Sequence, residues 1–455
     1  MENKYKNSYN LLQNDLKNKI LMLDGAMGTM IQRENLTADD FGGEKYEGCN
    51  DYLVLQRPDI IKNIHKGYLE AGSDIIETNS FGALDIVLKD YDLEDKAFEM
   101  NKAAAELVNE AIAEYRSKHP EVTRNLYVAG ALGPSNKSIS VTGGVTFEEL
   151  IHSYYTAVSG LLAGGVDLIL FETIQDTRNL KAAYLGLKKA MEENYTVPLM
   201  LSFTIESTGT TLAGQTADAF YYAVNHMNPF SVGLNCATGP EFMTQFLKTL
   251  NNISNTYISV YPNAGLPNED GEYEETPDTL SAKIEPFFQN HYLNIVGGCC
   301  GTTPEHIQRI KEKSINYEPR VIDKNKDFND VSGLIALETP KDRPVYVGER
   351  TNVIGSRIFK NLIANEKFDE ATEVARLQIK GRADVIDICL ANPDRDEIAD
   401  MKSFLDKVAK FAKIPLMIDS TDINVVKEGL TYLQGKGIIN SINLEDGEKK
   451  FADMA

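Results

Sequence analysis

The sequence predicts a closed (β/α)8 TIM barrel followed by a partial second (β/α) barrel. Three observations carry that expectation. Short apolar segments recur through residues 1–315, stretches with helical spacing separate them, and a second strand–helix series begins at Arg343. Parallel strands covered by helices read as near-continuous apolar runs, and their alternation with amphipathic helices marks an α/β fold.

Strands are expected near residues 20–23, 74–78, 126–129, 167–171, 198–203, 231–235, 256–261 and 294–296. Of the intervening helices, one starts at Pro58, a good first-turn proline, and sets Ile60, Ile64 and Tyr68 on one face. Another sets Met100, Ala104, Leu107, Ala111 and Tyr115 on one face. Eight strands with such helices close a barrel, with a doubly wound open sheet as the rival arrangement. After Ile315 the chain turns charged and aperiodic, and 316–343 reads as a linker. From 344 to 455 four more strands are expected, near 345–348, 385–389, 416–418 and 439–442. A full barrel takes about 250 residues, so this second unit reads as the first half of one.

The chain has 455 residues, with Lys+Arg 46 against Asp+Glu 67 and a formal charge of -21. No Lys/Arg run offers phosphates a basic patch, which argues against nucleic acid as a partner. The N-terminus is polar, and no run approaches the roughly 20 apolar residues of a membrane span. Neither an export signal nor a membrane partner is expected. The five cysteines are Cys49, Cys236, Cys299, Cys300 and Cys389. An odd, sparse set without an export signal points to the cytoplasm, where clustered cysteines serve metals or catalysis rather than disulfides.

In barrels of this kind the site is built from the C-terminal ends of the strands. Here those ends read Asp24-Gly25, Glu77-Thr78-Asn79, Gly130, Glu172-Thr173, Asn235-Cys236, Pro262-Asn263 and Gly297-Gly298-Cys299-Cys300. The sixth and eighth strand ends therefore bring Cys236 to the pair Cys299 and Cys300. Adjacent cysteines rarely bridge each other, but both can bind one ion if the backbone turns sharply, which flanking glycines permit. Three thiolates plus one exchangeable position is the arrangement of a catalytic zinc. The plainer reading makes all three small buried hydrophobes, a role that suits Cys389 well. Cys49 reads as a loop thiol with no role.

The motifs GLNCATGP at 233–240 and NIVGGCCGTTPEHI at 294–307 resemble the zinc motifs of the homocysteine S-methyltransferase family. LDGAMGTMIQ at 23–32, GCNDYLVLQRPDII at 48–61, AGSDIIETNSFGA at 71–83, DLILFETIQD at 167–176 and YPNAGLPNEDGEY at 261–273 extend the likeness over 1–315. GERTNVIGS at 348–356 and GKGIINSIN at 435–443 resemble the pterin-binding domain of the cobalamin-dependent methionine synthase family.

The resemblance implies zinc-dependent methylation of the homocysteine thiol to methionine. The implied donor is methylcobalamin held by another domain or protein and charged from 5-methyltetrahydrofolate. It places Asp24 and Glu172 on homocysteine's amino group. The carboxylate can use backbone N–H groups of the Gly25-Ala26 turn. The substrate sulfur should take the fourth metal position, with the side-chain oxygen of Asn263 as a candidate placeholder. In the second unit Asn352, Gly355, Ser356, Asp387, Asp419 and Asn440 match pterin motif positions. The family's usual Asn two residues after Asp387 is Cys389 here. Two other readings stay open. One is a stand-alone homocysteine methyltransferase with a sulfonium or betaine donor. The other is a zinc or thiol-binding module without catalysis.

Overall fold

The computed structural model describes residues 2–268, 273–323, 330–338, 343–445 and 447–454. Contacts divide the chain into two compact units. The first comprises Met1–Gln175, Asn179–Leu212 and Met227–Lys326, and the second Asp176–Arg178, Ala213–His226 and Asp327–Ala455.

All eight expected strands of the first unit are present. They are β1 (Leu21–Met22), β2 (Ile75–Glu77), β3 (Tyr127–Leu132), β4 (Leu168–Ile174), β5 (Leu199–Phe203), β6 (Ser231–Asn235), β7 (Tyr257–Tyr261) and β8 (Ile295–Val296). Every neighbouring pair is parallel. β1 pairs with β8, and a bridge from Leu23 to Ile75 joins β1 to β2. The ring is closed, so the open-sheet alternative falls away.

The helices follow the sequence pattern. Pro58–Ala71 buries Ile60, Ile64 and Tyr68, and ends at Gly72, whose φ of 103° suits glycine. Ala97–Lys118 buries Met100, Ala104, Leu107, Ala111 and Tyr115. One helix went unread in the sequence: Glu2–Asn18. Its Leu12 and Leu16, one turn apart, join Leu21, Ile75, Tyr127, Leu168 and Tyr257 in the barrel's core. Asp15 accepts from Asn125 Nδ2 and Tyr127 Oη, and Ser8 Oγ donates to Asp167. The helix thus seals the N-terminal end of the barrel. Three leucines, Leu11, Leu12 and Leu16, among polar residues are too few to advertise a buried face.

The second unit holds four parallel strands in sequence order: β11 (Val347–Gly348), β12 (Val385–Ile388), β13 (Leu416–Asp419) and β14 (Ile438–Asn440). Ile386, Ile388, Leu416 and Ile418 pack with Phe359, Ile363, Phe404 and Leu405 into its core. The stretch read as a linker is partly structured. Arg320 is buried in the first unit, bonding Asn251 and the carbonyls of Ser254 and Thr256. An antiparallel pair, β9 (Val331–Ser332) with β10 (Ala336–Leu337), belongs to the second unit, where Ser332 N–H donates to Lys436 O at 3.0 Å. Residues 324–329 and 339–342 of that stretch, and 269–272 of the YPNAGLPNEDGEY motif, lie outside the described residues.

Candidate metal centre and substrate pocket

Three cysteines reach one point because two strand ends turn sharply. At the end of β6 both Cys236 and Ala237 take φ of 56°, and Thr238 N–H closes the turn onto Cys236 O at 2.6 Å. Beyond β8, Cys299 N–H donates to Pro262 O and Ala264 N–H to Cys300 O, each at 2.9 Å. The flanking glycines serve two different needs. A Cβ on Gly297 would lie 2.7 Å from Leu23 Cβ, and one on Gly298 2.4 Å from Thr302 Oγ1. Those two exist for close approach. Only Gly301, with φ of 82°, has a backbone that favours glycine.

The Cys236 and Cys300 sulfurs lie 3.8 Å apart, and those of Cys299 and Cys300 4.0 Å. All three fall within 4.8 Å of one another. Tetrahedral zinc with sulfur at about 2.3 Å sets ligand sulfurs about 3.8 Å apart. Donor type and spacing therefore fit such an ion. Cys300 is the thiol drawn down, to about 3, by hydrogen bonds from Cys236 and Cys299, whereas Cys299 is pushed far up by its contacts with Cys236 and Cys300 and by burial. Cys49 and Cys389 are buried and belong to no such cluster among the described residues.

Asn263, two residues past β7, is buried, and its Oδ1 finds no hydrogen-bond partner. An orphaned buried carbonyl oxygen is costly, which makes it a suitable weak ligand.

Next to the sulfurs is a set of buried acids. Asp24 follows β1 and Glu172 lies within β4, and burial with the neighbouring Cys236 pushes the Glu172 carboxyl up to about 8. Asp24 Oδ2 accepts from Glu77 N–H at 3.0 Å, while Asp24 Oδ1 and Glu77 Oε1 are sealed from solvent without partners. Burial raises the carboxyls of Asp24 and Glu77 far above the usual range, and Glu172 raises Glu77 further. The sequence named Glu77 at a strand end without giving it a role; its place beside Asp24 becomes visible only when β1 and β2 meet. The Gly25-Ala26 turn lies alongside, where Ala26 N–H donates to Thr302 Oγ1 at 3.1 Å. The pocket suits a cation placed a few bonds from a sulfur.

In the second unit Asn352 Nδ2 donates to Asp387 at 3.3 Å and to Asp419 at 3.4 Å. With Asn440 these line an open cleft of about 370 Å³. Burial, with Asp419 beside it, raises the Asp387 carboxyl to about 6, and its Oδ1 is unpartnered. Gly355 and Ser356 do not line the cleft. Gly355 N–H donates to Asn352 Oδ1, and Ser356 Oγ caps the helix Arg357–Ala364.

The family profile described as homocysteine S-methyltransferase matches residues 21–314. The chain belongs to that family. A second profile, described as pterin binding enzyme, matches residues 348–455. The chain thus joins a homocysteine S-methyltransferase domain to a pterin-binding one, as the N-terminal region of a methionine synthase would. Among solved structures, the metallated form of the homocysteine methyltransferase MmuM from Escherichia coli superposes with a TM-score of 0.55 at 24% identity, covering 68% of this chain and 100% of that one. Its oxidized form gives 0.55 at 22% identity, covering 68% and 99%. At that identity the likeness is one of fold. No helix among the described residues is long and apolar enough to cross a membrane.

Proposed function

We propose that the chain methylates homocysteine on sulfur to form methionine, with zinc held by Cys236, Cys299 and Cys300 and with methylcobalamin, carried by another domain or protein, as donor. The observation that carries this reading is the trio of sulfurs at the spacing of a tetrahedral ion. That the E. coli relative has been solved in a metallated form supports it. Bound there, zinc supplies a thiolate at neutral pH from a thiol that is otherwise mostly protonated.

The chain's own residues do the rest. Asn263, whose buried Oδ1 has no partner, would hold the fourth ligand position that the substrate sulfur would take. Asp24 and Glu172, with Glu77 beside them, receive the α-ammonium, and its positive charge draws their raised carboxyls back to the ionised form. The carboxylate goes to the Gly25-Ala26 turn through Gly25 N–H, since Ala26 N–H is held by Thr302 Oγ1. The second unit takes 5-methyltetrahydrofolate at Asn352, Asp387, Asp419 and Asn440, whose amides and carboxylates suit a pterin edge with donors and acceptors. The compartment proposed is the cytoplasm.

The test supplies homocysteine with methylcobalamin, S-methylmethionine or betaine in turn and assays methionine. Methionine from methylcobalamin alone is the expected result. Formation only from the sulfonium or from betaine would replace the donor assignment.

A further inference from the structure

At the end of β4 the backbone does something the sequence does not announce. Thr173, directly after Glu172, has φ of 55°, a left-handed conformation that a β-branched residue rarely takes. The ladder to β5 pairs Phe171 with Leu201 and then Ile174 with Phe203, so β4 carries one extra residue there. Such a bulge re-aims a side chain and leaves the extra residue's amide outside the ladder.

Asn235, fully buried at the end of β6, meets that amide. Thr173 N–H donates to Asn235 Oδ1 at 3.1 Å, and Asn235 Nδ2 donates to Thr173 Oγ1 at 2.8 Å. Ser202 Oγ, on the β5 residue opposite the bulge, donates to the same Oδ1 at 2.7 Å. Both ends of the Asn235 amide are therefore committed, and the next residue in the chain is Cys236.

We propose that Asn235 is a positioning residue: its side-chain amide holds the left-handed bulge at Thr173 and thereby aims the Glu172 carboxylate at the substrate ammonium, in fixed relation to the adjoining ligand Cys236. This rests on the assignment of Glu172 to homocysteine. Neither Asn235 nor Thr173 touches the substrate in this reading. Their task is to hold one carboxylate and one sulfur at the separation that a homocysteine molecule spans.

The test measures homocysteine affinity by calorimetry, zinc content, and hydrogen exchange of the peptide containing the Thr173 amide. Asn235→Ala is expected to bind homocysteine about tenfold more weakly, as loss of a buried hydrogen-bonded clamp implies, while keeping its zinc. Its Thr173 amide should exchange at least about tenfold faster, since its acceptor is gone. Adding Thr173→Gly should recover most of the affinity, because glycine enters the left-handed region without steric cost. Should Asn235→Ala fail to fold, Ser202→Ala removes one of the three bonds, with an expected loss of about twofold to fivefold. Unchanged affinity and exchange in Asn235→Ala overturn the proposal, as does an affinity loss that Thr173→Gly leaves untouched. Glu172→Gln is the comparator. If it binds weakly beside a normal Asn235→Ala, the positioning role falls and the homocysteine assignment stands. If Glu172→Gln binds normally, the assignment itself falls, and amide exchange decides whether Asn235 holds the bulge.

Discussion

The sulfurs of Cys236 and Cys300 approach to 3.8 Å although 64 residues separate them in the chain. Closure of the barrel, which puts the ends of β6 and β8 on one rim, brings them together. If that trio holds zinc, Cys299→Ser should lose most of the metal by elemental analysis, because a site with two thiolates is a much weaker one. Full zinc retention in that variant would sink the assignment. Homocysteine binding to the zinc-loaded protein should also release a proton near neutral pH, read as buffer-dependent binding heat in calorimetry.

Glu172→Gln and Glu77→Gln should each weaken homocysteine binding about tenfold or more, the worth of a hydrogen bond to a charged group, and leave zinc content intact. Loss of metal from either variant would move that carboxylate into the ion's own shell.

His65 is fully buried, both ring nitrogens lack partners, and burial alone holds it down to about 3 from an ordinary 6.5. Above pH 6.5 the ring is neutral in folded and unfolded chains alike. Below it the unfolded chain takes up a proton that the folded one refuses, so stability is lost progressively as pH falls from 6.5 toward 3. The full loss approaches about 5 kcal/mol at the acid end. His65→Leu should flatten that decline. Equal Tm differences between the two proteins at pH 7 and pH 5 would refute the role given to His65.

The second unit presents β11 and β14 as edges, with no further strand beside either among the described residues. Unpaired parallel edges are open to other strands and to solvent. Brief protease treatment is therefore expected to cut within residues 344–454 before the barrel, leaving a core that ends near residue 320. A survivor that extends through β14 would show those edges to be well protected.

Much of this could be read from the chain. The eight barrel strands stood out because parallel strands buried on both faces are apolar throughout, and Cys236, Cys299 and Cys300 because strand ends in a barrel must converge. What escaped notice depends on single contacts. Leu12 and Leu16 gain a buried face only from the barrel mouth they cover. Glu77 becomes part of a carboxylate group only beside Asp24. Ser356 matches a binding motif yet spends its hydroxyl on a helix cap. Nothing in the order of residues says that Thr173 runs left-handed, because the cause is Asn235 on another strand.

The helix Glu2–Asn18 has a consequence for the order of events. With that end covered and the barrel's interior filled by side chains, the proposed amino acid and methyl donor would share one doorway, the C-terminal rim. In the proposed reading the amino acid would sit among the acids and sulfurs, and the donor would arrive over it. Traffic through a single entrance would be sequential: homocysteine first, donor second, with the spent donor withdrawing before methionine leaves.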